Sequence, residues 1–344
     1  MKTLETERLI LRKFTPDDFT AVHTYASDLE VATYMVWGPN SEAETRGFLN
    51  MAIRSAEAER IKDYQYAATL KDTGELIGGC NLHLGDEEEV GWILNPVHQG
   101  KGYGYEMGKR LLQFGFEELN LHRIVAFCDA ENVASYRLME KLGMRREGHR
   151  FDTRYPNKKT DRDFSDEFIY AMLKSEWEVA REIDYYNALP FEFNGFIDIP
   201  TLSNGDIYLV CTEKSPAQPE KNYVPAYNFA VCKGSEKIGD VNLRIGYMGG
   251  INNKDLYHCG QIGYVIDEKH RGNDYAVEAC KLLLPIARAH KMQKLLITNN
   301  VTNVASRRVC EKIGAKHLRC VRLPEYSDLY LRGQRFINIF ELEV

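Results

Sequence analysis

The chain has 344 residues, 44% hydrophobic and 27% charged, with a formal net charge of −6. That is apolar material for two ordinary cores, and the acidic balance excludes a nonspecific nucleic-acid binder, whose phosphate contacts need a basic surface. No apolar run approaches the roughly 20 residues of a membrane span, and the charged start Met1-Lys2-Thr3-Leu4-Glu5 is no signal peptide, so a cytoplasmic location is expected. Residues 6–14 alternate as a strand, and Thr15-Pro16-Asp17-Asp18 has the cap, proline and acids of a helix start. Ser41 to Arg60 reads as a second helix, with Ser41 and Glu44 forming a capping box. Tyr66–Leu70 and Leu76–Leu84 form a hairpin across Asp72-Thr73-Gly74. Then come a strand to Leu94, a glycine turn, a helix over Met107–Leu119, a strand at 123–128 and a short helix at 133–142. Strands at about 146–155 and 166–173 close the first half, and Glu176–Asn187 reads as a helical linker.

The second half repeats this order. Gln99-Gly100-Lys101-Gly102-Tyr103-Gly104 returns 172 positions later as Arg271-Gly272-Asn273-Asp274-Tyr275-Ala276, between the strand Gly263–Ile266 and a helix over Val277–Ala289. Asn132-Val133-Ala134-Ser135, leading to Glu140-Lys141-Leu142-Gly143, returns 171 positions later as Asn303-Val304-Ala305-Ser306, leading to Glu311-Lys312-Ile313-Gly314. Such a repeat sets the domain count: a domain at 1–175, a linker at 176–190 and a second domain at 191–344. The link from Ile207–Thr212 to Ala226–Cys232 is too short for the two helices of the first half, so the second domain is a trimmed copy. A strand, a glycine turn and a helix start make a cradle of backbone N–H groups for phosphate. A Walker A loop fails for want of Gly-Lys-Ser/Thr, and the dinucleotide fingerprint fails at Tyr105. The eight cysteines include no CxxC pair and read as buried free thiols in a reducing compartment, with no metal site.

On Gln99-x-x-Gly102-x-Gly104, Asn132 and Ser135, the chain resembles the GNAT superfamily of acyl-CoA-dependent N-acetyltransferases, as a tandem pair. Tyr34-Met35-Val36-Trp37-Gly38-Pro39 and Glu89-Val90-Gly91-Trp92 are similar to the branch that acetylates ribosomal-protein N-termini. The resemblance implies an α+β fold: two tandem domains, each a mixed, mostly antiparallel twisted sheet flanked by helices. It implies acetyl-CoA as co-substrate, its diphosphate held by the backbone of Gln99, Gly100, Lys101, Gly102, Tyr103 and Gly104. Trp92, Ile93 and Leu94 would pair with the pantetheine arm and polarise the thioester carbonyl, and Asn132 would bond the same arm. The corresponding positions of the second copy are Val265, Ile266, Arg271, Gly272, Asn273, Ala276 and Asn303.

Acetyl transfer needs a neutral amine. A lysine-like amine costs roughly 4–5 kcal/mol to deprotonate at pH 7 and an α-amino group only about 1, so a general base matters most for the first kind. Glu88 and Glu89 are the candidate bases, and strand alternation lets only one face the acceptor. Met139 stands where many members keep a tyrosine acid; the resemblance implies that Ser135 protonates the thiolate instead, the alternative being that Ser135 only caps the helix, and Tyr136 is a lesser candidate. In the second copy Asp274 replaces the first signature glycine, and its charge about 5 Å from a phosphate would oppose binding by roughly 3 kcal/mol. Arg271 and Lys269 offset part of that, while Gly260 and Cys310 stand at the places of Glu88 and Met139, and His258 near the site is either a base or a structural histidine on a strand. The expected activity is acetyl transfer to a primary amine of a protein N-terminus or small molecule, in the first domain, with Tyr34 and Trp37 lining the acceptor pocket or the core. The alternative is a non-catalytic acyl-CoA- or partner-binding protein, chiefly through the second domain. No nucleic-acid or membrane partner is expected, and the chain would be a monomer with an internal pseudo-dimer, or a homodimer.

Overall fold

Leu4, Leu9 and Leu11 are fully buried while Ile10 and Arg12 are not. This two-residue period builds the edge of the first sheet in the computed structural model, which describes residues 1–154, 164–221, 223–246, 255–325 and 327–344. The chain divides into two units, Met1–Glu178 and Val179–Val344.

The first unit runs β1 (Leu4–Glu5), β2 (Leu9–Lys13), α1 (Phe19–Ala26), α2 (Leu29–Ala32), α3 (Glu42–Glu57), β3 (Asp63–Leu70), β4 (Leu76–Leu84) and β5 (Glu88–Leu94). It continues with α4 (Tyr103–Gln113), β6 (Arg123–Asp129), α5 (Val133–Lys141), β7 (Arg145–Arg154) and β8 (Ser165–Leu173). The eight strands pair in the order β1-β2-β3-β4-β5-β6-β8-β7, antiparallel throughout except between β5 and β6. Those two register only at Glu89↔Val125 and diverge toward Leu94. The large core on one face packs Leu9, Leu11, Leu82 and Val90 against Met107, Leu111 and Leu112 of α4. A smaller core on the other packs Phe14 and Ala67 against Val22, Tyr25 and Leu49 of α1 and α3.

Local chemistry sets the helix ends. Ser41 and Glu44 form the expected capping box, with the Ser41 N–H donating to Glu44 Oε2 at 2.7 Å and the Glu44 N–H to Ser41 Oγ at 3.3 Å. α4 starts four residues before the expected Met107 because Gly102 caps it, and at Phe114–Glu118 it widens into a π-helical turn that buries Phe114 and Phe116. α2 went unpredicted, being a single turn capped by the Asp28 carboxylate.

At the unit boundary lies α6 (Lys174–Asn187). The linker expected at 176–190 is divided between the cores: Trp177 is buried in the first unit and donates to Glu117 at 2.9 Å, while Tyr186 is buried in the second.

The second unit runs β9 (Leu202–Ser203), β10 (Tyr208–Ser215), β11 (Ala226–Lys233), β12 (Glu236–Arg244), α7 (Asp255–Cys259), β13 (Ile262–Ile266) and α8 (Tyr275–Ala289). Then follow β14 (Lys294–Asn300), α9 (Val304–Lys312), β15 (Lys316–Arg322), α10 (Asp328–Leu331) and β16 (Phe336–Glu343). Among the described residues only a short 3-10 turn, Pro219–Lys221, stands between β10 and β11, where the first unit has α1, α2 and α3. The sheet is split into β13-β12-β11-β10-β9 and β14-β16-β15. His258 lies in α7, not on a strand, and is buried. The cysteines are all free; Cys80, Cys128, Cys280 and Cys310 are buried, whereas Cys259 and Cys320 are exposed, against the expectation of burial. No helix among the described residues is long and apolar enough to cross a membrane.

Candidate active site

The glycine turn of the first unit joins the end of β5 to α4. Gly100 and Gly102 have φ of +72° and +86°, left-handed backbone in which a side chain costs roughly 1–2 kcal/mol. The first-turn N–H groups of α4 follow directly, with the positive end of the helix dipole behind them. Gln99 anchors the turn by donating from Nε2 to the Leu94 carbonyl at 3.3 Å. At Gly104 an added Cβ would lie 3.0 Å from Leu138 Cδ2, so α4 approaches α5 where only a small residue fits. The only carboxylate in the first turn of α4, Glu106, is taken up in bonds from Thr6 Oγ1 at 2.5 Å and the Arg8 N–H at 2.7 Å and in an ion pair with the Arg8 guanidinium. The cradle therefore fits a diphosphate.

A cavity of about 910 Å³ opens on the α1/α3 face, where the strands diverge. Phe14, Tyr34, Trp37, Phe48, Trp92 and Phe127 give it aromatic walls, and Glu44, Glu89 and Asp129 line it with carboxylates. Among the described residues that line it there is no Lys, Arg or His. Burial along β5 explains how Glu89 comes to be there. Val90 belongs to the α4-side core, with Trp92 and Leu94 packed against it, whereas Ile93 packs on the α1/α3 side. Alternation then turns Glu89 with Gly91 and Ile93 to the α1/α3 face and Glu88 to the opposite one; where the strands part, the cavity also reaches Val90 and Trp92 but not Glu88. Asp129 is buried at the end of β6, its Oδ1 accepting the Glu131 N–H at 2.8 Å.

From α5, Asn132, Ser135 and Met139 reach the cavity. The Asn132 side chain caps α5, accepting the Ser135 N–H at 3.1 Å, so the cap is Asn132 and the Ser135 hydroxyl has no part in it. Tyr136, the lesser acid candidate, packs edge-on against Phe168 with ring centroids 5.7 Å apart. It is not among the residues lining the cavity. Tyr34 and Trp37 both line it.

The second unit keeps the plan and changes the chemistry. Asp274 takes the left-handed place of Gly102, φ +57°, and Lys312 of α9 holds its carboxylate at 2.5 and 2.7 Å. Arg271 donates to the Ile266 carbonyl at 3.0 Å, Asn273 to the His270 carbonyl at 3.1 Å, and Lys269 pairs with Glu236. Gly272 keeps φ +85°, and Ala276 occupies the place of Gly104. Asn303 caps α9 as Asn132 caps α5, accepting the Ser306 N–H at 3.0 Å. Tyr264 stands at the place of Trp92, next to Val265 and Ile266, and its hydroxyl meets Ser306 Oγ at 2.8 Å. Where the first unit has Glu89 facing Val125, the second has Gln261 and Leu296, stitched by N–H···O bonds of 2.7 and 2.6 Å. Asn300 replaces Asp129. Burial pushes the Cys310 thiol, at the place of Met139, up to about 11.

A sheet that splays beside a glycine turn and a helix start is a plan that both units share, and the acetyltransferase (GNAT) domain family matches residues 8–145 and 159–316. The chain belongs to this family and is an acyl-CoA-dependent N-acetyltransferase. The uncharacterized N-acetyltransferase YnaD of Bacillus subtilis (strain 168) is 38% identical over 177 residues, 51% of this chain and 98% of that protein. The spermidine N(1)-acetyltransferase of Vibrio cholerae serotype O1 is 29% identical over 143 residues, 41% of this chain and 82% of that protein. Among solved structures, a GNAT-family acetyltransferase from Bacillus anthracis is 37% identical with a TM-score of 0.45, covering 51% of this chain and 99% of its own.

Proposed function

We propose that the first unit, Met1–Glu178, transfers the acetyl group of acetyl-CoA to a primary amine of a small cationic acceptor of polyamine type. The supporting observation is the cavity, with its three carboxylates, aromatic walls and no basic side chain among the described lining residues. Such a site attracts a multiply charged ammonium through its carboxylates and aromatic faces. The similarity to a spermidine acetyltransferase is in keeping with this class.

The acceptor enters as an ammonium, and Glu89, on the cavity face of β5, receives its proton. Acetyl-CoA supplies the activated acetyl group, and the cradle from Gln99 to Gly104 would hold its diphosphate. The β5 backbone between Trp92 and Leu94, where β6 has diverged, presents N–H groups toward the position of the carbonyl oxygen. As the nitrogen bonds to the acetyl carbon and the C–S bond breaks, the nitrogen sheds a second proton; Ser135, with its hydroxyl outside the helix cap, is the group placed to relay that proton to the leaving sulfur.

The second unit we read as lacking turnover. Gln261 and Asn300 are neutral where Glu89 and Asp129 are charged, and the Tyr264–Ser306 bond crosses the gap between β13 and α9. The test is thiol release by the full chain from acetyl-CoA with spermidine, spermine, lysine amide, a neutral monoamine and a peptide with a free N-terminus. The polyamines should give the highest kcat/KM. A preference for the peptide or the neutral amine would overturn the acceptor class.

A further inference from the structure

Arg8 is 93 positions from the glycine turn in sequence, yet its side chain lies against it. Nη1 donates to the Lys101 carbonyl at 3.1 Å, and the guanidinium sits 4.4 Å from the centroid of the Tyr103 ring. Nη2 is the nearest atom to where a Cβ on Gly102 would be, at 3.3 Å. Glu106 holds Nε and Nη2 at 2.8 Å, fixing the plane of the group. With 44% of the side chain still exposed, the guanidinium is a pre-oriented cation facing solvent beside the cradle.

The second unit supplies an internal control. The pairings Leu4↔Leu11 and Glu5↔Ile10 recur as Leu202↔Leu209 and Ser203↔Tyr208. The turn bond from the Thr6 N–H to the Leu9 carbonyl, 3.0 Å, recurs from Asn204 to Ile207 at 3.3 Å. In this register Arg8 corresponds to Asp206. Glu278, at the place of Glu106, is held by Asn204 Nδ2 at 3.0 Å. There Asn204 suffices to hold the helix carboxylate, and the cation over the loop tyrosine comes from another strand: Lys233 pairs with Asp206 at 3.0 Å and lies 4.7 Å from the centroid of Tyr275, at the place of Tyr103. At the place of Arg8 itself the charge is the opposite one. The unit that inverts it is also the one with Asp274 in place of Gly102.

We infer that Arg8 is a phosphate-binding residue of the first unit, which clamps the turn at Lys101 and Tyr103 and presents its remaining N–H groups to a phosphate of CoA. The ligand chemistry is a phosphate ester, either the diphosphate or the 3′-phosphate of the nucleotide. The inference rests on reading Gln99–Gly104 as the diphosphate cradle.

The experiment is calorimetry on the full-length chain and its Arg8→Gln and Arg8→Lys variants. The ligands are CoA and 3′-dephospho-CoA, each at several salt concentrations, with melting curves to verify folding. Arg8→Gln should bind CoA about 10-fold more weakly, the lower end for charge-assisted bonds at a partly exposed group, and with a shallower salt dependence. Arg8→Lys, which keeps the charge but not the fork, should fall between and retain the wild-type salt slope; it serves alone if Arg8→Gln does not fold. Equal losses for both ligands assign the contact to the diphosphate, and a loss confined to CoA assigns it to the 3′-phosphate. Arg8→Gln binding within two-fold of wild type, or a weaker Arg8→Gln with the wild-type salt slope, would overturn the inference, as would wild-type affinity of Arg8→Lys where Arg8→Gln does not fold. If the wild-type chain binds no CoA, the reading of the cradle itself falls.

Discussion

Replacing Gly102 by Asp copies into the first unit the change that the second carries at Asp274, and its cost separates into strain and charge. Strain is the smaller part, because the left-handed φ of +86° costs an aspartate about 1 kcal/mol and a Cβ would meet only Arg8 Nη2, at 3.3 Å. That should lower the melting temperature by roughly 2–4 °C for a unit of this size. The charge is the larger part. A carboxylate roughly 5 Å from a phosphate charge opposes binding by about 3 kcal/mol at an effective dielectric of 20. Lys141, at the place of Lys312, now lies 4.9 Å from the Tyr105 ring centroid and can swing to neutralise part of the new charge. The expected net loss is about 2–3 kcal/mol, or roughly 30- to 150-fold in CoA affinity. Calorimetry on Gly102→Asp and Gly102→Ala makes the comparison, since alanine brings the strain without the charge and should stay within about five-fold of wild type. Gly102→Asp binding CoA within three-fold of Gly102→Ala would refute the placing of phosphate at this turn.

Glu89→Gln should lower kcat/KM for a polyamine by about 10²- to 10⁴-fold and remove the low-pH limb of its pH profile, while Glu88→Gln stays within about three-fold; the reverse ranking would disprove the β5 assignment. The intact chain should bind one CoA rather than two, and a second calorimetric site would show that the Asp274–Lys312 pair and the Tyr264–Ser306 bond leave room for the cofactor. Asp18→Asn should cost about 1–2 kcal/mol at pH 7, measured by urea unfolding. Burial alone would raise the Asp18 carboxyl, but Arg12 at 2.7 and 2.8 Å and the N–H and hydroxyl of Thr15 hold it below its ordinary value. Its contribution is therefore full above the unfolded pKa near 3.8 and lost as pH falls through the lower folded value, so the two stabilities should converge in acid. A gap that persists there would mean the loss is not one of charge.

Much of the architecture was legible because it is written locally. The Ser41 box, the hairpin at Asp72-Thr73-Gly74 and the two glycine turns rest on chemistry within a few residues, and the repeat multiplied each signal. The missing helices of the second unit could be read from chain length alone. What the sequence left open was direction. Three consecutive glutamates, 87 to 89, do not say which faces the cavity; burial of Val90 on the α4 side decides for Glu89. The pair Glu88/Gly260 suggested a lost base, whereas the change on the cavity face is from Glu89 to Gln261. His258 read as a strand residue because the run before β13 gives no sign of the short helix that replaces the strand start.

By itself the sequence determined two repeats of one α+β plan, a full glycine turn in the first and an altered one in the second, because glycine spacing and caps act over a single turn of chain. Only the tertiary structure decided which carboxylates share the cavity, that Asp274 is answered by Lys312, that Tyr264 reaches Ser306, and that Arg8 lies on a loop far along the chain. Each depends on which faces of β5, β6 and α4, or of their second-unit counterparts, are brought together. That choice is made when the apolar residues of distant segments find one core, and no local pattern carries it.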